Sequence, residues 1–304
     1  IAHEYFHLWN VKRVRPIELG PFDYNHEVYT DMLWIAEGIT SYYDDKTLQK
    51  MGLYEDEEYL KIIASQISRY ENTPGKEVMS LAHSSTLAWV KSYLPNEESM
   101  NTSVSYYNKG MIAAVLLDLE IRSNSEHSLD DVMKALYIDF YKKKGRGFTH
   151  KEFISLCSKI AEKDLQPFFD DVVFSTKSID YNAKFSPFGL KLTDENTDKN
   201  MCWSGVVSSN SGGKTTISNV YAAGPAVEAG LSVNDEIISI NGWRVNETLE
   251  SHDSKHKVGD VAEILYSRDD KIYSASLIYT KNPKVAMKLE IGDKNSLYTS
   301  WLHK

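Results

Sequence analysis

Basic residues, cysteines and long apolar runs are all scarce in this sequence. Lys and Arg total 34 against 43 Asp and Glu, a net charge of −9. Without a cationic excess to neutralise phosphates, the composition argues against nucleic acid as a partner. The two cysteines, Cys157 and Cys202, fall in different expected domains. Neither a disulfide framework nor a thiolate metal site follows from that spacing. The best apolar run, Met111 to Leu117, ends at Asp118 and is far too short to span a bilayer. No fixed-period repeat is present, which excludes a solenoid. What remains, at 42% hydrophobic and 25% charged residues, is the composition of a globular chain of 304 residues, long enough for two cored domains.

The chemistry is concentrated at the start. Ile1-Ala2-His3-Glu4-Tyr5-Phe6-His7 contains His-Glu-x-x-His. On a helix His3 and His7 stand one turn apart on one face, so both imidazoles can reach one metal ion. Glu4 projects beside them, placed to accept a proton from a water activated by that ion. A catalytic zinc site needs a third protein ligand. Glu37 is the candidate, in Leu33-Trp34-Ile35-Ala36-Glu37-Gly38-Ile39-Thr40-Ser41-Tyr42-Tyr43. That stretch reads as a second helix with Leu33, Ala36, Ile39 and Tyr43 along one stripe. A carboxylate on such a face costs free energy unless it is paired or metal-bound. Glu27 is the rival ligand.

The first half reads as mostly helical. Ser128-Leu129-Asp130-Asp131 looks like a capping-box start, Thr149-His150-Lys151-Glu152 opens another helix, and Pro167 fits the first turn of a further one. From about residue 186 the pattern changes to short alternating strands. Asn210 to Lys214 and Ser267 to Lys271 read as turns between strands.

The segments His3 to Pro16, Pro21-Phe22-Asp23-Tyr24 and Leu33 to Gly38 together resemble the glycyl aminopeptidase family, PDZ-containing gluzincin peptidases distantly related to aminopeptidase N. The resemblance implies a zinc peptidase with a mainly α-helical, thermolysin-like catalytic domain. The ligand spacing usual in aminopeptidase N lands on His26, with Glu27 next. The Leu-Trp-x-x-Glu-Gly context favours Glu37, with Pro16 to Asn25 as an inserted loop. Tyr106-Tyr107-Asn108-Lys109-Gly110 matches the Tyr-x-Lys-Gly motif of that group, which implies that the Tyr107 hydroxyl helps hold the oxyanion. Gly224-Pro225-Ala226 through Asn241-Gly242 resembles a PDZ domain, and Phe188-Gly189-Leu190 then fits its carboxylate-binding loop.

These readings give a multidomain chain: an N-terminally truncated catalytic domain over 1–183, a β-rich PDZ domain over 184–282, and a C-terminal tail over 283–304 without a readable fold. The expected function is a Zn2+-dependent metallopeptidase, an aminopeptidase removing small N-terminal residues such as glycine. The expected partners are a peptide or protein substrate and a C-terminal peptide at the PDZ domain. The alternative is a peptide-binding PDZ module with a vestigial peptidase domain. The intact His3, Glu4, His7 and Glu37 favour the enzyme. Because the chain opens inside the metal-site motif, the sequence leaves the compartment open between cytoplasm and periplasm. For the same reason this piece alone is expected to cleave little.

Overall fold

The computed structural model describes residues 1–303, which divide into two compact units. The helical unit comprises 1–94, 103–194 and 286–304; the strand-rich unit comprises 95–102 and 195–285. In chain order the elements begin with α1 (Ala2–Phe6), a π turn (Trp34–Gly38) running into α2 (Ile39–Lys50), α3 (Asp56–Glu71), α4 (Leu81–Thr86) and α5 (Ser99–Thr102). They continue with α6 (Asn108–Asn124), α7 (Leu129–Ala135), α8 (His150–Ile160), α9 (Gln166–Val172), α10 (Tyr181–Phe185) and β1 (Leu190–Asp194). The strand-rich stretch holds β2 (Cys202–Trp203), β3 (Val206–Ser211), β4 (Lys214–Val220), α11 (Pro225–Glu228), β5 (Glu236–Ile240), β6 (Trp243–Arg244), β7 (Val261–Arg268), β8 (Lys271–Ile278) and β9 (Thr280–Lys281). The last elements are β10 (Met287–Ile291) and α12 (Ser296–His303).

In the helical unit α6 is the axle. It is buried from Asn108 through Arg122, so it is apolar nearly all round, as a core helix must be. Its deepest carboxylate, Asp118, is satisfied by Tyr42 OH (2.7 Å), Arg122 Nε (3.0 Å) and the Leu129 N–H (2.8 Å). The expected capping box forms between Ser128 and Asp131, and a second joins Thr149 and Glu152. The expected single helix over Leu33–Tyr43 instead starts as a π turn at Trp34–Gly38 and becomes α-helical at Ile39.

Two expectations for the C-terminal half need correction. Residues 283–304 are not a tail: β10 pairs antiparallel with β1, Leu190 opposite Ile291 and Asp194 opposite Met287, and α12 packs into the helical core through Tyr298, Trp301 and Leu302. The carbonyls of Ser300, Trp301 and Leu302 accept from Arg122 (2.6 Å), Lys46 (2.6 Å) and Gln49 (2.9 Å), so donors from α6 and α2 satisfy the end of this helix. The alternating pattern of β10 is too short to read as a strand without its partner. Likewise Phe188, Gly189 and Leu190 lie in the helical unit, not in the strand-rich one. Phe188 and Leu190 are buried in the helical core. Gly189 has φ +68°, and a Cβ there would lie 1.8 Å from the Asp293 carbonyl oxygen, so glycine is required by the close approach of the two strand ends.

In the strand-rich unit the sheet runs β3-β4-β5-β7-β8, with β6 beside β5, and its pairings are antiparallel. The turns at Gly212-Gly213 and Asp269-Asp270 have both central φ values positive, the geometry that matches strand twist in a two-residue hairpin. Its core is separate, around Val206, Ile217, Ile237, Ile264 and Leu277. Residues 95–102 belong here through Asn101, whose amide donates to Val220 O (2.8 Å) and accepts from Ala222 N–H (3.0 Å).

Candidate active site

The His-Glu-x-x-His segment forms α1, with His7 at its C-terminal cap. The two imidazole rings stand 4.8 Å apart and nearly perpendicular, at 87°. Both Nε2 atoms point at the same carboxylate oxygen: Glu37 Oε2 lies 3.2 Å from each. The three ligand atoms all lie within 4.8 Å of one another. A tetrahedral zinc ion holds N and O ligands roughly 3.4 Å apart, so this donor set and spacing fit that ion. Glu27 stands exposed in the loop before Thr30 and is outside this group.

The outer nitrogens are also held. His3 Nδ1 faces Asp44 Oδ2 at 3.1 Å, and His7 Nδ1 faces the Asn10 carbonyl at 2.9 Å. Each bond fixes a tautomer that leaves Nε2 free to act as a ligand. The Glu37 carboxylate is the main cause that raises the His7 pKa. Sequence reading missed Asp44. Its signal was there: seven positions after Glu37, it lies on the same helix face.

Glu4 is exposed on α1 and opens, with His7, Lys12, Phe22, Tyr24 and Glu37, onto a cleft of about 370 Å³. Tyr107 is brought to the same place from the N-terminal end of α6, its ring 6.2 Å from that of His3. Burial first, and the Glu37 carboxylate second, push its phenol up to about 12, so it keeps its proton and can donate. The glycine of its motif now has a reason. Gly110 meets Gly38 where α6 crosses the π turn, and a Cβ on Gly38 would lie 2.4 Å from the Gly110 backbone. The contact fixes the distance between the elements carrying Glu37 and Tyr107. Lys109 turns inward, donating to Ser175 O at 3.3 Å over the Tyr70 ring, and burial lowers its pKa to about 8.

The strand-rich unit has its own cleft of about 490 Å³, lined by residues 200–203 on one side and by Glu250, Asp253, Ser254 and His256 on the other. One edge of β2 pairs with β9.

Fold and site together describe a peptidase-type helical unit joined to a PDZ-like unit. The family model for M61 glycyl aminopeptidase matches residues 1–113, and that for the PDZ domain matches residues 189–278. Residues 1–113 are thus an M61 glycyl aminopeptidase region and residues 189–278 a PDZ domain. Among solved structures it is similar to an aminopeptidase N family protein from Idiomarina loihiensis, at 30% identity and a TM-score of 0.89 over 99% of this chain. It spans 54% of that protein's chain. A serine endoprotease from Yersinia pestis (19% identity, TM-score 0.24, 27% of this chain and 29% of that one) also matches. So does the PDZ domain of a carboxy-terminal protease from Vibrio cholerae in complex with peptide (21% identity, TM-score 0.23, 27% of this chain and 96% of that one). No curated protein sequence matches.

Proposed function

We propose that the protein is a zinc-dependent aminopeptidase that removes small N-terminal residues such as glycine from peptides. The observation that carries this is the convergence of His3 Nε2, His7 Nε2 and Glu37 Oε2 on one point, with both outer imidazole nitrogens already bonded. Zinc, when bound there, supplies a Lewis acid that polarises the scissile carbonyl and acidifies the attacking water. Glu4 accepts the proton of that water at its carboxylate and returns it to the leaving amine. Tyr107 donates its O–H to the oxygen that becomes negative as the carbonyl is attacked. The preference for glycine comes from the family alone.

The test is elemental analysis of the purified chain. About one zinc per chain is expected, and its near-complete loss in Glu37→Gln. Glu4→Gln should retain zinc while the full-length protein carrying it loses turnover of a glycyl reporter. A zinc-free, folded chain after purification with added zinc would end this reading.

Peptide binding in the strand-rich unit belongs, on this reading, in its own cleft. A strand added beside β2 would face Glu250, Asp253 and His256, in the manner of PDZ ligands. Binding of C-terminal peptides that Ser254→Trp abolishes would support this placement.

A further inference from the structure

We propose that Asn10 is a positioning residue that holds His7 and Glu37 in register, one with its backbone and the other with its side chain. The proposal rests on the zinc reading above for its functional meaning. Asn10 is fully buried just beyond α1. Its carbonyl accepts from His7 Nδ1 at 2.9 Å. Its side-chain Nδ2 donates to Ile35 O (2.8 Å) and Ala36 O (3.0 Å) and lies 3.1 Å from Thr40 Oγ1. Ile35 and Ala36 are the two residues before Glu37, inside the π turn. In that turn the Ile39 N–H goes to Trp34 O, one residue further back than an α-helix would send it. The amide thus grips the wide turn through two successive carbonyls.

The orientation of the amide is fixed by chemistry. Turned over, its oxygen would face two carbonyl oxygens. In the orientation present, Asn10 Oδ1 is buried without a partner. An unpaired buried oxygen is a cost, and an apolar side chain of similar size would avoid it. The residue is explained by its two N–H groups and by what they hold. Asp44 does this for His3 alone; Asn10 couples the helix of one ligand to the turn of another.

Three readouts test the assignment in Asn10→Asp, which keeps the size and loses the donors, and in Asn10→Ala. The first is zinc affinity by chelator competition. A loss of about 10- to 100-fold is expected in each variant, the range for groups that orient ligands. In a Glu37→Gln background the further loss should shrink to about threefold or less, because the ligand being positioned is gone. A merely structural role would lower the melting temperature equally in both backgrounds and leave zinc affinity alone. The second readout needs no metal. Ring 15N–1H correlations of His7, at a pH where the imidazole is neutral, should show the proton on Nδ1 in the unmodified chain and a tautomer mixture in the variants. The third uses the unmodified chain: the Asn10 side-chain amide should exchange slowly with solvent.

A folded variant with zinc affinity within about twofold of the unmodified chain overturns the proposal. So does an unchanged His7 tautomer, or a fast-exchanging Asn10 amide if neither variant folds. If the unmodified chain takes up no zinc, the peptidase reading fails, and the tautomer and exchange measurements decide the role of Asn10 by themselves.

Discussion

The three candidate ligands come from two kinds of scaffold. His3 lies on α1 and His7 at its C-terminal cap, and no residue of α1 is buried. Glu37 sits in a turn whose other four residues, Trp34, Ile35, Ala36 and Gly38, are all buried. Trp34 packs edge-on against Phe153 (5.9 Å), while α1 is anchored mainly by Phe6 stacked on Tyr43 (4.6 Å). The turn carrying Glu37 is held by packing. The histidines are held from outside their own helix, by Asp44 and the Asn10 carbonyl. An exposed helix can therefore present two ligands whose outer nitrogens are already bonded.

If that contrast is right, damage to the two scaffolds should look different. The largest effect is expected at the packed one. Gly38→Ala places a methyl 2.4 Å from the backbone of Gly110, which has no flexible side chain to yield. Destabilisation of about 3 kcal/mol is expected by denaturant melts, together with loss of zinc uptake. A Gly38→Ala protein of normal stability would mean the crossing is looser than the contact implies.

Tyr107→Phe comes next. It leaves both scaffolds intact and removes one donor, so turnover of the full-length protein should fall roughly 100- to 1,000-fold with little change in KM. Near-normal turnover would remove Tyr107 from the mechanism.

Asp44→Asn tests the borrowed support. Zinc affinity should drop about 10- to 100-fold while the melting temperature barely moves, since Asp44 is partly exposed and orients rather than packs. A large loss of stability with zinc affinity intact would reverse the comparison.

Lys46→Met is read from the pH dependence of stability. Burial lowers the Lys46 pKa to about 7 from 10.5. Between those values the unfolded chain carries a proton that the folded chain has released, so stability rises with pH across that window. Below about 7 both states are charged and the burial penalty is complete. The variant should abolish this rise, which is at most about 1.4 kcal/mol per pH unit. Stability curves of both proteins from pH 6 to about 10.5 decide it.

Much of the site could be read directly. The spacing of His3, Glu4 and His7 carries its own geometry, and the context of Glu37 and Tyr107 pointed to the elements that the fold brings together. The supports were harder to read. Asp44 and Asn10 act through a ring nitrogen and two backbone carbonyls, and no residue pattern announces a bond to a carbonyl. The π turn was hidden because its apolar stripe reads as an ordinary helix. In the C-terminal half the hairpin turns were legible from Gly-Gly and Asp-Asp. The partnership of β1 with β10 was not, since their pairing joins residues on either side of the whole strand-rich segment. Phe188-Gly189-Leu190 misled because a glycine between apolar residues suits a close backbone approach as well as it suits a carboxylate loop.

The return of β10 and α12 to the helical unit sets an order of events on the ribosome. Residues 195–285 are translated before the strand and helix that complete the unit holding the His–Glu cluster. Until then, Lys46 and Gln49 on α2 lack the carbonyls of Trp301 and Leu302, and α2 also carries Asp44, the support of His3. A nascent chain that has made the whole histidine motif still has an open helical core. The supports of the His–Glu cluster are thus completed only after the strand-rich unit has been synthesised in full.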